Sequence, residues 1–351
     1  MHYQATGQMV SLCRCLGLCH RKQHAMKNRF IAQWVEDLLR ERPLRANSLI
    51  ITVYGDSIAP HGGSVWLGSF IRLVAPLGLN DRLVRTSVFR LSRDLWLESE
   101  HIGRRSYYGL TATGRRRFEH AHRRIYFQPK VRWDGDWQLV LTAGSEITPA
   151  QREAMRKELQ WEGFGIIAPG VLAHPSANVD ALMDILQSNG VQDKVVVLRA
   201  KTLGAQSGQP LRELVHECWN LDLIAEGYKH FIDRFRPALR ALKSARELDP
   251  EQCFVVRTLV THEYRRTILR DPQLPGDILP ADWPGDAARR LCRELYSLTH
   301  QETERHLMSV LETTSGRLPE VAPYFFERFD GLAGEAAEAD DHESLRHPSP
   351  G

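Results

Sequence analysis

Arginines gather in this chain where they could hold a polyanion. Arg82, Arg85, Arg90 and Arg93 fall within one short stretch, DRLVRTSVFRLSRD, with Thr86 and Ser87 between them. A guanidinium presents paired N–H donors that match O6 and N7 of guanine, or two phosphate oxygens. Arg104 and Arg105 follow in GRRSYY, at the tip of what reads as a hairpin. A second cluster, HEYRRTILR, brings together His262, Arg265, Arg266 and Arg270. Such a cluster could grip phosphates on a ligand. It could equally pair with Glu263, Asp271 or Asp277 and hold the following proline-rich loop in place.

Other spacings that could do chemistry fall short of it. His262-Glu263 begins like a zincin helix, but Arg266 stands where the second zinc-binding histidine belongs. Cys13, Cys15, Cys19 and His20 are all potential zinc ligands, yet their spacing matches no standard site and reads as a flexible arm with incidental thiols. Gly163 and Gly165 precede strand-forming residues instead of opening a helix, so they mark a bend and not a dinucleotide loop. His216 and Cys218 lie beside Trp219 without an evident third group to orient a nucleophile–base pair. No catalytic residue, metal ligand or resident cofactor is assigned.

Charge is unevenly distributed. The first 132 residues hold 22 Lys and Arg against 9 Asp and Glu, a net +13, whereas the rest of the 351-residue chain carries −10. A basic third on an acidic body points to a polyanionic partner for that third. With 42% hydrophobic and 25% charged residues, the composition excludes a wholly disordered chain. No apolar run reaches the ~18 residues that a membrane span needs. No secretory signal is evident, and six scattered cysteines do not form a disulfide framework. A cytoplasmic location is expected.

These residues need elements to position them. Residues 1–27 read as a mobile basic arm. A helix is predicted from Asn28 to Arg40, with Phe30, Ile31, Trp34, Val35, Leu38 and Leu39 at helical spacing. Asn47 is placed to cap a helix through Tyr54, residues 55–63 read as a loop, and Ser64 is placed to cap a second helix. A third helix is predicted from Asp81 to about Asp94, with Val84, Val88, Leu91 and Leu95 as one buried stripe and the arginines off it. Residues 96–111 then alternate about a turn at Gly103. Together these make a winged helix-turn-helix unit, 28–128, whose next helix is capped by Thr113. Residues 129–205 read as β-α-β-α-β with the second strand doubled, a ferredoxin-like module. Residues 206–330 are mostly helical, and 331–351 form an acidic tail. The predicted fold class is therefore α+β and multidomain.

At the level of longer segments, 50–114, with VWLGSFIRLVAPLGLNDRLVRTSVFRLSRDLWLESEHIGRRSYYGL, resembles the amino-terminal domain of the PaaX repressors of phenylacetic acid degradation. WDGDWQLVLTAG and LQWEGFGIIAPGVLAHP resemble their central Cas2-like domain, and HEYRRTILRDPQLPGDILPADWPG their carboxy-terminal domain. The resemblance implies a homodimeric repressor on a palindromic double-stranded operator, released by an aryl-CoA thioester such as phenylacetyl-CoA. On it, Arg82, Arg85, Thr86, Ser87, Arg90, Arg93, Arg104 and Arg105 would meet DNA, and His262, Arg265, Arg266 and Arg270 would meet the effector. The Cas2-like likeness keeps open a metal-dependent nuclease, and the basic third an RNA-binding protein. A nuclease needs a carboxylate at the end of its first strand, and here that strand runs into Leu141-Thr142-Ala143-Gly144, with Asp134 and Asp136 at its other end.

Overall fold

In the computed structural model, residues 27–41, 44–128, 133–142, 146–203 and 209–332 are described. The Cys13–Cys15–Cys19–His20 group, nearly all of the basic arm and nearly all of the acidic tail lie outside them. The first helix, α1 (Arg29–Glu41), is capped by the Asn28 side chain, which accepts from the Phe30 and Ile31 amides at 3.0 and 3.3 Å. Ile31 and Leu38 join the apolar cluster that holds Leu49 and Phe70. Trp34 meets Phe235 edge to face and donates to the Arg234 carbonyl at 3.1 Å, so α1 also packs on the carboxy-terminal helices.

Helix α2 (Ala46–Val53) runs into a π-helical turn, Tyr54–Ile58, and a 3₁₀ turn, Ala59–His61. Residues 55–61 are therefore wound and largely buried instead of forming a loop, and Arg45 stands at the N-cap in place of Asn47. Ser64 caps nothing: it opens strand β1 (Ser64–Trp66), and α3 (Leu67–Val74) begins after it. A 3₁₀ turn and Gly78, at φ +79°, reverse the chain. Asn80 then caps α4 (Asp81–Arg93), accepting from the Leu83 amide at 2.9 Å. Strands β2 (Leu97–Ile102) and β3 (Arg105–Leu110) form a hairpin, with β1 on the outer side of β3. Helix α5 (Ala112–Tyr126) is capped by Thr111, whose hydroxyl accepts from the Gly114 amide at 2.9 Å; Thr113 lies inside the helix.

The central segment is β4 (Asp136–Leu141), α6 (Pro149–Trp161), β5 (Gly165–Ala168), β6 (Val171–His174), α7 (Val179–Ser188) and β7 (Val196–Lys201). Its sheet order, β5-β6-β4-β7, is antiparallel throughout and is the ferredoxin-like arrangement. One face packs on α6 and α7 through Val140, Met155, Leu159, Leu172 and Leu182. On the other, Trp137 of β4 packs with Val215, Trp219 and Leu274. The glycines at 163 and 165 do mark a bend. Gly163 sits at φ +99°, and a Cβ on Gly165 would lie 2.5 Å from the Trp219 ring, so the indole can lie flat on the strand.

Helices α8 (Gln209–Trp219), α9 (Leu221–Lys243), α10 (Pro250–Ile268) and α11 (Gly285–Val310) follow, then a short hairpin, β8 (Glu312–Thr313) with β9 (Gly316–Arg317). Helix α10 is buried along almost its whole length and on every side, because α1, α2, α5, α9 and α11 all pack on it. As a result the first and last segments share one core. Leu49, Ile50, Phe70 and Val84 belong to the same apolar cluster as Phe235, Leu259, Leu295 and Phe325.

Candidate nucleic-acid interface

Helix α4 divides as its pattern requires. Val84, Val88 and Leu91 are buried, while Arg82, Arg85, Thr86, Arg90 and Arg93 are exposed. Thirteen residues span about 20 Å at 1.5 Å per residue, enough to lie along the major groove. Two expectations fail here. Leu95 is 61% exposed and stands beyond the helix at φ +58°, so the buried stripe ends at Leu91. Ser87 is 2% exposed and faces the core one turn from Val84, so it does not belong to the basic face. Phe89, which charge patterning passed over, is 68% exposed at the centre of that face. It sits one turn from Arg85 and one turn from Arg93. An apolar ring between guanidinium groups can meet a thymine methyl.

The remaining arginines differ in how freely they can reach outward. Arg85 pairs with Asp81 one turn earlier at 2.5 Å, an exposed contact that solvent screens. Arg104 is exposed at the hairpin tip. Arg105 is tethered: its guanidinium lies 4.2 Å from the centre of the Trp66 ring and pairs with Glu312 at 2.8 Å. Arg72 reaches the same carboxylate at 3.0 Å. Arg105 thus fixes the turn end of the hairpin to the carboxy-terminal segment.

Beneath this surface lies a buried ionic cluster. Asp56, in the π-helical turn, is 2% exposed. It pairs with Arg257 of α10 at 3.0 Å and with Arg328 at 3.2 Å, and accepts from the hydroxyls of Tyr126 and Tyr296 at 2.6 and 2.9 Å. Arg257 also pairs with Glu304 at 2.7 Å, and Glu304 bonds His61 at 2.8 Å. Burial by itself would raise the Asp56 carboxyl. The two arginines and two hydroxyls outweigh it and hold the group below the usual carboxylate range. Burial would likewise raise Glu304, but Arg257 and His61 bring it down to about 2. The cluster clasps the segment carrying α2–α4 to α10, α11 and the turn at Arg328. No sequence motif announced it, because its members run from Asp56 to Arg328 along the chain and meet only in the fold.

Comparison with known proteins bears on this arrangement. Family models of the PaaX-like protein match residues 45–114, of the PaaX central Cas2-like domain residues 130–212, and of the PaaX-like C-terminal domain residues 219–309. The chain is 38% identical over 300 residues to the transcriptional repressor PaaX of Escherichia coli (strain K12), covering 85% of this chain and 94% of that one. This chain belongs to the PaaX family. A solved structure, the uncharacterized protein Rv0674 from Mycobacterium tuberculosis, matches with a TM-score of 0.48 at 23% identity, covering 73% of this chain and 96% of that one.

In this PaaX-family chain the carboxy-terminal cluster does not converge on one pocket. His262 is 2% exposed and bonds the Thr52 hydroxyl at 2.8 Å, tying α10 to α2. Arg265 lines a cavity between α2, α5 and α10, while Arg266 and Arg270 line a second one beside α9. Helical spacing is the reason: residues 265 and 266 are turned about 100° apart. Arg266 pairs with Glu263 at 3.2 Å. Asp271 takes the Tyr228 hydroxyl at 2.6 Å, and Asp277 takes the Trp133 amide at 3.2 Å. The carboxylates near the first central strand are also engaged. Asp136 pairs with Arg199 across the β4–β7 ladder at 2.7 Å. His216 bonds Asp222 at 3.1 Å, away from Cys218.

Proposed function

We propose that this chain is a non-enzymatic transcriptional repressor that binds a palindromic operator in double-stranded DNA as a homodimer. It governs an aromatic, phenylacetate-type catabolic operon and is released by an aryl-CoA thioester such as phenylacetyl-CoA. The observation that carries the reading is the outward arginine face of α4, set after a tight turn and beside a hairpin with arginines at its tip. In this reading α2, α3 and α4 with the β2–β3 hairpin act as a winged helix-turn-helix unit. Helix α4 enters the major groove, and Arg104 meets phosphate or the minor groove. The homodimer is supported by strand β7, an edge of the central sheet with Val196 and Leu198 54% and 43% exposed. The repressor role and the operon follow from family membership, and release follows the same family reading. An effector can release DNA only by binding the non-binding state more tightly.

The test is a mobility-shift assay on the DNA upstream of the gene itself, with and without phenylacetyl-CoA. A specific shift that the thioester abolishes is expected. With about eight phosphates neutralised per dimer, log affinity should fall against log salt with a slope near −7. Salt-independent binding, or none, rejects the reading.

A further inference from the structure

An open-mouthed cavity of about 610 Å³ lies where three segments of the chain meet. Helices α2 and α5 form one side, α10 the other, and Trp161 at the end of α6 reaches in from the central module. That volume suits a small-molecule site. Phe118, Ala121, Ile125 and the rings of Trp96 and Trp161 make its walls mostly apolar and aromatic.

One buried polar group on the α10 wall lacks the partner that such groups normally have, and a half-buried cation beside it has only a weak one. Thr261 is 2% exposed, and its hydroxyl has no hydrogen-bond partner among the described residues. Arg265, one turn on, has no ion pair among the described residues and only a 3.4 Å contact with the Ser48 hydroxyl. Burial lowers its guanidinium to about 10, still charged at neutral pH. Two further cations, Arg116 and Arg117, stand exposed at the rim, with Arg117 stacked 4.8 Å from the Trp96 ring centre. An apolar aromatic chamber, a hydroxyl and a cation on one wall, and cations at the mouth together describe a complementary ligand.

We propose that this cavity binds an aromatic acyl compound carrying negative charge. Its ring lies among Phe118, Trp96 and Trp161, its acyl oxygen accepts from Thr261 and Arg265, and its anionic portion meets Arg116 and Arg117. The proposal rests on the effector-release reading above and gives it a location. Asp56, the centre of the ionic cluster, is itself part of the cavity wall. An occupant therefore touches both sides of the junction between the DNA-facing segment and α10, where a shift of α5 would reach α4.

The full-length protein supplies its own probe, because two tryptophans line the cavity. Tryptophan fluorescence is titrated with phenylacetyl-CoA, phenylacetate and CoA in wild type, Trp161→Phe, Ala121→Phe and Thr261→Val, with thermal melting to confirm folding. The thioester should quench wild type, and Trp161→Phe should lose part of that signal. Ala121→Phe should weaken binding by about tenfold or more, and Thr261→Val by about three- to tenfold. Should Ala121→Phe fill its own site and misfold, the near-isosteric Thr261→Val still decides. Unchanged affinity in folded variants overturns the location while leaving thioester release intact. Binding of phenylacetate in place of the thioester, lost in Ala121→Phe, upholds the cavity and overturns the thioester reading. No binding of any probe to wild type overturns both.

Discussion

On the proposed reading, Phe89 and its arginine neighbours on the exposed face of α4 divide their work by chemistry. A guanidinium can distinguish guanine by two hydrogen bonds, whereas a phenyl ring can only sense a methyl group or fill space. Arg85→Ala and Arg90→Ala should each cost about 1–3 kcal/mol of operator preference while changing binding to random DNA less. Phe89→Ala should reduce operator affinity without altering the salt slope, since it removes no charge. Arg104→Ala should weaken operator and random DNA alike and lower that slope by about 1. Competition shifts at several salt concentrations separate these outcomes. Equal losses on both DNAs for all four variants would remove the distinction between reading and anchoring. Arg105 belongs to another class: its pairing with Glu312 and stacking on Trp66 make it a brace for the hairpin.

At the scale of elements, the π-helical turn after α2 exists where Asp56 must face α10. Breaking a buried charge pair from one side strands its partners. Asp56→Ala, which leaves Arg257 and Arg328 without their shared carboxylate, should cost about 3–5 kcal/mol in urea unfolding. A loss below about 1 kcal/mol would show that solvent reaches the cluster. Acidity probes the same junction. Burial, reinforced by Arg328, lowers His122 to about 4 from an ordinary 6.5. Burial also lowers His174 to about 4, despite its bond to the Pro272 carbonyl. The unfolded chain takes up these protons first, so stability present above pH 6.5 drains away as pH falls toward 4. Glu304, at about 2 against 4.5, extends the loss below pH 4.5 by the same sign. Melting temperature should therefore decline steadily through that window, and His122→Gln should flatten the upper part. A constant melting temperature from pH 6.5 to 4 would contradict the burial of both rings.

At the scale of the whole molecule, the segment that carries α2–α5 is not a bead on a string. Its α2 is packed on α10, His262 bonds Thr52, and Arg328 closes over Asp56. A fragment of residues 28–128 should therefore lack a fixed core, bind hydrophobic dyes and show no cooperative melt. A sharp two-state transition in that fragment would mean that the shared core is dispensable. In the intact chain, α4 and α10 should lose amide protection in one cooperative step.

What could be read along the chain was local and periodic. Val84, Val88 and Leu91 declare the inner side of α4 at 3.6-residue spacing, and the central strands and helices alternate in an order that defines their sheet. The caps were less legible, since Asn47, Ser64 and Thr113 are as plausible by type as the residues that do stand at helix starts. Periodicity also could not tell that Ser87 turns inward or that Leu95 lies past the helix end, because one residue of rotation decides each. The Asp56 cluster and the three-sided cavity were beyond reach altogether. They depend on which helix fills the centre of the fold, and α10 carries apolar residues on every side, so its sequence has no preferred face to reveal. Packing chose its neighbours, and by doing so it placed Arg257 against Asp56 and Arg265 beside Phe118.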